Sequence, residues 1–155
     1  MNIKTIGKVK SSATEPADEN WGKVVSEIHL AEALTPGLQG LEQFSHLIIV
    51  FSLHRATFHP STDLVRRPRG RADMPKVGIF AQRAKHRPNP IGITAIQLLA
   101  IDGNVLRVKG LDAIDGTPVL DIKPYVPIFD RVDRATVPTW MERLMEGYFY
   151  AERPK

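Results

Sequence analysis

The sequence of 155 residues contains no cysteine. This absence excludes a disulfide scaffold, a thiolate-ligated zinc or iron–sulfur site and a cysteine nucleophile. The chain also lacks the GxG of a dinucleotide-binding turn, the GxxxxGK of a phosphate-binding loop, an HExxH zinc motif and a serine nucleophile elbow. His54, His59 and Asp63 match no standard metal-ligand spacing, so we expect no metal site.

Long apolar runs are missing too. No segment approaches the roughly 20 apolar residues of a membrane span. The opening sequence, Met-Asn-Ile-Lys-Thr-Ile-Gly, has no apolar core of the kind found in a signal peptide. We therefore expect a cytoplasmic protein. The hydrophobic share of 43% is that of an ordinary globular chain, and the length suits a single domain over residues 1–155.

Positive charge is concentrated in one part of the chain. Between Arg55 and Pro90 there are nine lysines and arginines and two acidic residues, a balance of +7. The remainder therefore carries −3, since the net charge is +4. This distribution is typical of a protein with a phosphate-bearing partner, although a solvated surface loop explains it equally well. Within it, segment 56–75 has no clear periodicity, which predicts a functional loop or partial disorder.

Short β-strands dominate the sequence pattern. Twelve prolines leave few windows for a long helix, whereas alternating and β-branched apolar residues predict about seven strands. We place these strands at residues 2–9, 22–30, 46–53, 76–81, 91–101, 105–111 and 119–125. Turn sequences such as Asp102-Gly103-Asn104 separate them. The pattern predicts a mainly β fold, either a sandwich or a small barrel.

One helix is predicted near the end of the chain, over about residues 137–149. Thr136 is the expected N-cap, and Pro138 suits the first turn. Trp140, Leu144 and Tyr148 have the spacing of an apolar helical stripe. Such a stripe favours packing against the core or a second subunit over a cofactor site.

Segment 77–92, VGIFAQRAKHRPNPIG, has the most distinctive sequence. Pro88 and Pro90 restrict the backbone around Arg87 and Asn89 to extended geometry. A stiff loop loses little entropy on binding, so its cations suit recognition of a carboxylate or a phosphate. The alternative is a surface turn whose prolines block pairing of a sheet edge.

Segment 111–125, LDAIDGTPVLDIKPY, places Asp112, Asp115 and Asp121 among apolar residues. Gly116 predicts a bend between two strands. At this bend, Asp115 has the chemistry to hydrogen-bond a ribose, face a cationic ligand or accept a proton from an amine. A turn-capping role for its carboxylate is equally consistent with the sequence.

Together these segments resemble the TrmO family, also called TsaA-like or YaeB-like, which are S-adenosylmethionine-dependent tRNA methyltransferases built on a β-barrel. The resemblance runs from the first strand through Asp130. It rests on Ile6-Gly7, on GLEQFSHL at 40–47 and on the two segments 77–92 and 111–125. The resemblance implies a small closed barrel with a C-terminal helix instead of a Rossmann fold. It also implies a homodimer with the methyl donor near the subunit interface, and N6-methylation of threonylcarbamoyladenosine beside the tRNA anticodon.

The resemblance also implies where the donor and the RNA bind. Arg83 is expected to hold the carboxylate of S-adenosylmethionine, and the bend at Asp115 its adenosine. The full set of expected donor-binding residues is Leu53, His54, Arg55, Arg83, Ile93, Ala113, Ile114, Asp115 and Gly116. We expect Asp115 or Asn89 to supply the acceptor for the amine hydrogen. The cations expected to contact the anticodon stem-loop are Arg66, Arg67, Arg69, Arg71, Lys85 and Arg87.

Two other functions stay open from the sequence. Family members usually read Phe-Ala-Thr-Arg-Ser-Pro where this chain reads FAQRAK at 80–85. This departure is consistent with a methyltransferase that uses the same donor on a small amine or another metabolite. The third function is a non-catalytic RNA-binding module, which predicts salt-dependent RNA binding without affinity for S-adenosylmethionine.

Overall fold

The computed structural model describes residues 1–150. The strands are β1 (Gly7–Lys10), β2 (Val25–Leu30), β3 (His46–Ser52), β4 (Val65–Arg66), β5 (Val77–Gly78), β6 (Ile91–Asp102), β7 (Val105–Lys109) and β8 (Pro118–Pro124). The α-helices are α1 (Pro60–Asp63), α2 (Pro127–Asp130) and α3 (Thr139–Leu144). Within this range no helix has the length and apolar character needed to cross a membrane.

Six strands form a closed barrel in the order β1-β2-β7-β6-β3-β8, and β8 returns to β1. All neighbouring strands are antiparallel. Closure removes the terminal strands that an open sheet would expose. The predicted closed barrel is therefore confirmed, with six strands in place of about seven.

The predicted strand at 76–81 does not join the barrel. β5 covers only Val77 and Gly78 and pairs with β4 in a separate two-stranded sheet. The chain then turns into a 3-10 helix, in which Ile79 is buried and Phe80 is 80% exposed. The backbone N–H of Ile79 donates to the carbonyl of Leu64. The apolar run in this segment therefore reflects the burial of Ile79. Burial of one side chain does not require a long strand.

The first two strands begin later than predicted. β1 starts at Gly7, and a 3-10 helix at Trp21–Lys23 occupies the expected start of β2. Trp21 is buried, and its backbone N–H donates to the carbonyl of Tyr148. This contact with the other end of the chain takes the place of pairing within the sheet.

Alternating side chains of the strands fill the barrel. In β3, Leu47, Ile49 and Phe51 point inward and are at most 3% exposed. The other buried members of the core are Val9, Ile28, Leu30, Leu38, Ile96, Leu106, Val108, Leu111, Ala113 and Val119. Because successive side chains of a strand point to opposite faces, the inward residues follow from the sequence alternation.

α3 is shorter than the helix predicted over 137–149. Pro138 occupies the N-cap position and no side chain caps the helix, so the expected cap by Thr136 is wrong. The helix ends at Leu144, and Gly147 takes a left-handed φ of +71°. A glycine reaches this conformation without the penalty that a Cβ imposes, so the chain turns here. Tyr148 therefore lies in a turn outside the helix.

The basic segment 56–75 has regular structure. It contains α1, β4 and a 3-10 helix at Pro68–Gly70. Arg143 of α3 donates a hydrogen bond of 3.2 Å to the carbonyl of Asp73. The segment is thus a packed part of the fold, which agrees with the loop and not with the partial disorder that its sequence left as alternatives.

Candidate functional site

One end of the barrel collects most of the residues singled out in the sequence. At this end β1, β3 and β7 finish while β2, β6 and β8 begin, because neighbouring strands are antiparallel. Residues 53–55 follow β3, the loop ending at Pro90 precedes β6, and residues 113–116 precede β8. We call this the site end of the barrel.

The site end is tightly built around Gly92. The backbone N–H of Leu53 donates to the carbonyl of Pro90 at 2.8 Å, which joins the end of β3 to the loop before β6. We call this loop, which ends with Pro88-Asn89-Pro90, the proline-rich loop. A Cβ on residue 92 would lie 2.4 Å from a ring carbon of Phe51. Glycine therefore lets the Phe51 ring cover the start of β6.

Arg83 and Ile93 are brought together as expected. Nη2 of Arg83 donates to the carbonyl oxygen of Ile93 at 2.7 Å, while the side chain stays exposed. Ile93 is 50% exposed on the outside of β6. The pair presents a cation beside an apolar surface, which suits a ligand with a carboxylate and an apolar part.

Asp115 makes a contact with the loop after β1 that none of its expected roles included. Its Oδ1 accepts the backbone N–H of Ser11 at 3.0 Å, and its own N–H donates to the carbonyl of Ala13 at 2.7 Å. Gly116, at φ +79°, forms the adjoining turn. Asp115 thus fixes the loop after β1 to the bend before β8, while its side chain remains exposed.

Arg55 holds the same loop from the other side. Its Nη1 lies 3.2 Å from Oε1 of Glu15 and 3.3 Å from the carbonyl of Thr14. No residue of segment 11–20 was expected at the donor site from the sequence. The structure places this segment between Arg55 and Asp115, so it forms part of the site end.

A half-buried carboxylate at the site end, that of Asp112, was not assigned a role from the sequence. Asp112 Oδ2 accepts the hydroxyl of Tyr148 at 2.5 Å, and its Oδ1 accepts the hydroxyl of Thr94. Burial raises the pKa of the Tyr148 hydroxyl far above its ordinary value, and the negative charge of Asp112 acts in the same direction. Tyr148 is therefore held as a protonated donor. The guanidinium of Arg69 lies 6.0 Å from the centre of the Tyr148 ring.

This contact depends on the early end of α3. A helix continued to residue 149 would make Tyr148 part of an apolar stripe, which is the role that the sequence analysis gave it. Gly147 could have indicated the early end of the helix, because glycine is the usual residue just beyond a helix end. The sequence does not indicate that Asp112 is the hydrogen-bond partner of Tyr148, because 36 residues separate the two.

The proline-rich loop is held in place by side-chain hydrogen bonds as well as by its prolines. Nδ1 of His86 lies 2.7 Å from the carbonyl oxygen of Thr57. Nη1 of Arg87 donates to the carbonyls of Gln82 and Ala84, at 3.1 and 3.3 Å. Much of the hydrogen-bonding capacity of Arg87 is therefore used inside the loop. Two further residues named from the sequence lie in this loop, with Lys85 half-buried and Asn89 exposed.

The arginines expected to contact RNA in segment 66–71 are bonded within the chain. Arg66 lies 3.7 Å from Asp63, Arg69 lies 3.2 Å from Asp18, Arg71 lies 2.7 Å from Asp73, and Arg67 donates to the carbonyl of Met74. The hydrogen bond from Arg71 lowers the pKa of Asp73. The positive charge of this segment is thus partly neutralised inside the protein.

A closed antiparallel barrel whose loops gather cations and an exposed carboxylate at one end defines a β-barrel ligand-binding domain without a Rossmann fold. The particular family follows from comparison with known proteins. The chain belongs to the family described as tRNA-methyltransferase O N-terminal domain, whose model matches residues 8–131. The match includes every strand of the barrel except the first residue of β1.

Relatives and a solved structure agree with this assignment. The chain is 37% identical over 145 residues to a "Probable S-adenosyl-L-methionine-binding protein" of Pyrococcus abyssi, covering 90% of this chain and 76% of that protein. It is 42% identical over 100 residues to a tRNA (adenine(37)-N6)-methyltransferase of Mus musculus, covering 64% of this chain and 23% of the mouse protein. A crystal structure of TrmO from Pseudomonas aeruginosa superposes with a TM-score of 0.70 at 34% identity, over 88% of this chain and 60% of that one. This chain therefore spans about three fifths of that solved chain.

Proposed function

We propose that this protein is an S-adenosylmethionine-dependent tRNA methyltransferase that methylates N6 of threonylcarbamoyladenosine beside the anticodon. The observation that carries the proposal is the family match over residues 8–131, which spans the barrel and its site end. The names of its relatives support both the donor and the tRNA substrate.

The residues at the site end fit the donor. Arg83 uses one N–H group on the carbonyl of Ile93, and a guanidinium has further N–H groups that suit a carboxylate. Ile93 offers exposed apolar surface beside it. Ala113 and Ile114 are buried and support the bend on which Asp115 is exposed to meet ribose hydroxyls. The donor supplies a methyl group that is activated by the positive charge on its sulfur. Leu53, His54, Arg55 and Gly116 complete the proposed donor site.

We propose that Asp115 or Asn89 accepts a hydrogen bond from the substrate amine, and that of the two only Asp115 can take up its proton. The carboxylate of Asp115 has one oxygen bonded to Ser11, and its second oxygen has lone pairs to accept a proton. Asn89 is exposed on the proline-rich loop, and its amide oxygen accepts hydrogen bonds without taking up a proton. The lone pair of the substrate amine is delocalised into the purine, so exact placement of the amine contributes most to the rate.

We also propose that the protein acts as a homodimer in the cytoplasm. α2 and the chain after it expose Ile128 by 85%, Phe129 by 80% and Val132 by 72%. Large apolar side chains exposed together mark a contact surface. A second copy of the chain is the partner that the family resemblance implies.

The proposed function is tested by methyl transfer to a defined tRNA. Purified protein is incubated with S-adenosylmethionine and tRNA that carries threonylcarbamoyladenosine, and the digested nucleosides are analysed by mass spectrometry. We expect the methylated nucleoside, and none from the matched tRNA that lacks the threonylcarbamoyl group. Absence of the product from the modified tRNA would contradict the proposal.

A second candidate function is methylation of a small amine with the same donor. The ion pairs of Arg66, Arg69 and Arg71 favour it, because these cations are partly neutralised within the chain. Calorimetric titrations of the protein with S-adenosylmethionine and with tRNA separate the alternatives. Donor binding without tRNA binding supports a small substrate, and tRNA binding without donor binding supports a non-catalytic RNA-binding module.

A further inference from the structure

The outer face of the barrel carries a group of cations that are far apart in the sequence. Lys8 and Lys10 flank the buried Val9 in β1. Arg107 and Lys109 alternate with buried residues in β7. Because side chains alternate across a strand, these four cations point away from the core. We call them the wall cations.

Strand pairing brings the wall cations together across β2. Lys10 is opposite Glu27, and Glu27 is opposite Arg107 in the next strand. Lys109 is opposite Val25. Neighbouring strands are about 4.8 Å apart, so Lys10 and Arg107 are separated by roughly 10 Å at the backbone.

The wall cations can reach an external anion, since Lys8, Lys10 and Arg107 are exposed and Lys109 is half-buried. Among residues 1–150 none of them forms an ion pair, and Oε2 of the intervening Glu27 lies 2.7 Å from Nε2 of His29. The arginines at 66, 69 and 71 differ, since each of them has an acidic partner. The charge of the wall cations is therefore not neutralised by an acidic partner within residues 1–150, in contrast to that of Arg66, Arg69 and Arg71.

The wall runs directly into the site end. The carbonyl of Val9 accepts the backbone N–H of Gly116 at 2.8 Å, so Lys10 is next to the bend that carries Asp115. Lys109 is the last residue of β7 at the same end. Lys8 and Arg107 lie one outward position further down their strands, a step of roughly 7 Å.

We propose that the wall cations bind the sugar–phosphate backbone of the tRNA anticodon stem while the neighbouring base occupies the site end. This inference rests on the proposed function, because it takes tRNA as the substrate. Side chains do not reach the base edges in the deep, narrow major groove of an A-form stem, so the wall contributes position and affinity, and the loops of the site end contribute selectivity. Phosphate contacts of this kind release counterions and weaken with salt.

The test compares two double variants with matched charge loss. Lys10→Gln with Arg107→Gln removes two wall cations, and Lys123→Gln with Arg131→Gln removes one lysine and one arginine elsewhere on the surface. Lys123 and Arg131 are exposed and already have acidic partners at 2.7 Å. Affinity for the modified tRNA is measured over a series of salt concentrations, and donor affinity is measured by calorimetry.

We expect the wall variant to bind tRNA about tenfold more weakly than the wild type, with donor affinity unchanged. The slope of log affinity against log salt concentration should become shallower by about two units, one for each cation removed. The control variant should match the wild type. If the wall variant binds tRNA with wild-type affinity and slope while the wild type methylates it, the wall proposal is wrong and the proposed function stands. If the wild type neither binds nor methylates tRNA, the proposed function itself fails. Should the double variant not fold, Lys10→Gln alone at its exposed position must still lower the slope by about one unit.

Discussion

Tyr148 donates its hydroxyl to Asp112 across 2.5 Å, and this bond joins the turn after α3 to the loop that precedes β8. The same loop carries Ala113 to Gly116, which are among the proposed donor-binding residues. The backbone N–H groups of Asn20 and Gly22 donate to the carbonyls of Gly147 and Phe149, beside the bond from Trp21 to Tyr148. The turn after α3 therefore supports the site end through both side-chain and backbone bonds.

Tyr148→Phe should lower the free energy of unfolding by about 1.5–3 kcal/mol, because the carboxylate of Asp112 loses a hydrogen bond in a partly buried position. Urea denaturation measures this loss. Tyr125→Phe is the matched control, since the Tyr125 ring packs edge-on against His46 and its hydroxyl makes no hydrogen bond with residues 1–150. Equal losses in the two variants would show that the Asp112 bond contributes nothing particular to stability.

The raised pKa of Tyr148 predicts a loss of stability in alkaline solution. Below pH about 10, the ordinary pKa of tyrosine, both the folded and the unfolded chain keep this proton. Above it the unfolded chain releases the proton while the folded chain retains it, so the free energy of unfolding falls as the pH rises. Comparison of the wild type with Tyr148→Phe isolates this contribution. A parallel pH dependence of the two proteins would contradict it.

Gly92→Ala should destabilise the protein by about 1–3 kcal/mol, because the new methyl group would overlap the Phe51 ring. Gly78→Ala is the control, since its Cβ meets only the carbonyl of Leu64 at an ordinary 3.8 Å. Thermal unfolding measures both variants. A smaller side chain at position 51, in Phe51→Leu, should lessen the further effect of Gly92→Ala, and failure to do so would place the strain elsewhere.

The barrel was largely predictable from the sequence because its signals are local. Alternation identified β3, and the Asp-Gly-Asn sequence identified the turn between β6 and β7, where Gly103 takes a φ of +57°. The prediction of a barrel strand at 76–81 was wrong because it also used only a local signal. An apolar run does not show whether its backbone pairs in a sheet. The burial of Ile79 beside Leu64 is a tertiary contact.

The candidate site was predictable only in part. Two segments with distinctive sequences contain Arg83 and Asp115, and the structure places both at one end of the barrel. The contacts of Asp115 with Ser11 and of Asp112 with Tyr148 join distant parts of the chain, so no spacing in the sequence indicates them. The grouping of the wall cations was not predictable from the sequence either, because only the strand register brings Lys10 near Arg107.

Arg83→Ala should weaken binding of S-adenosylmethionine by about 10-fold to 100-fold, the loss expected for one hydrogen bond to a charged group. Calorimetric titration with the donor measures the dissociation constant. Arg107→Ala removes an exposed arginine of β7 and should leave donor affinity unchanged. An unaltered dissociation constant in Arg83→Ala would remove this residue from the proposed donor site.

Ile128→Ser combined with Phe129→Ser should convert the proposed dimer to a monomer, because both side chains are at least 80% exposed and would be covered by a second copy. Sedimentation velocity of the wild type and the variant measures the change. Leu34→Ser, at a 43% exposed position before β3, is the control and should not alter the sedimentation coefficient. A wild type that sediments as a monomer would contradict the dimer directly.

Closure of the barrel has a consequence for the order of events during synthesis. Gly7 pairs with Val119, and residues 20–22 bond to residues 147–149. β1 can pair with β2 early, but its pairing with β8, and the bonds of residues 20–22 to the turn beyond α3, form only after those later residues have been synthesised. Pairing between such distant segments slows folding, so β1 has only β2 beside it until β8 has been made.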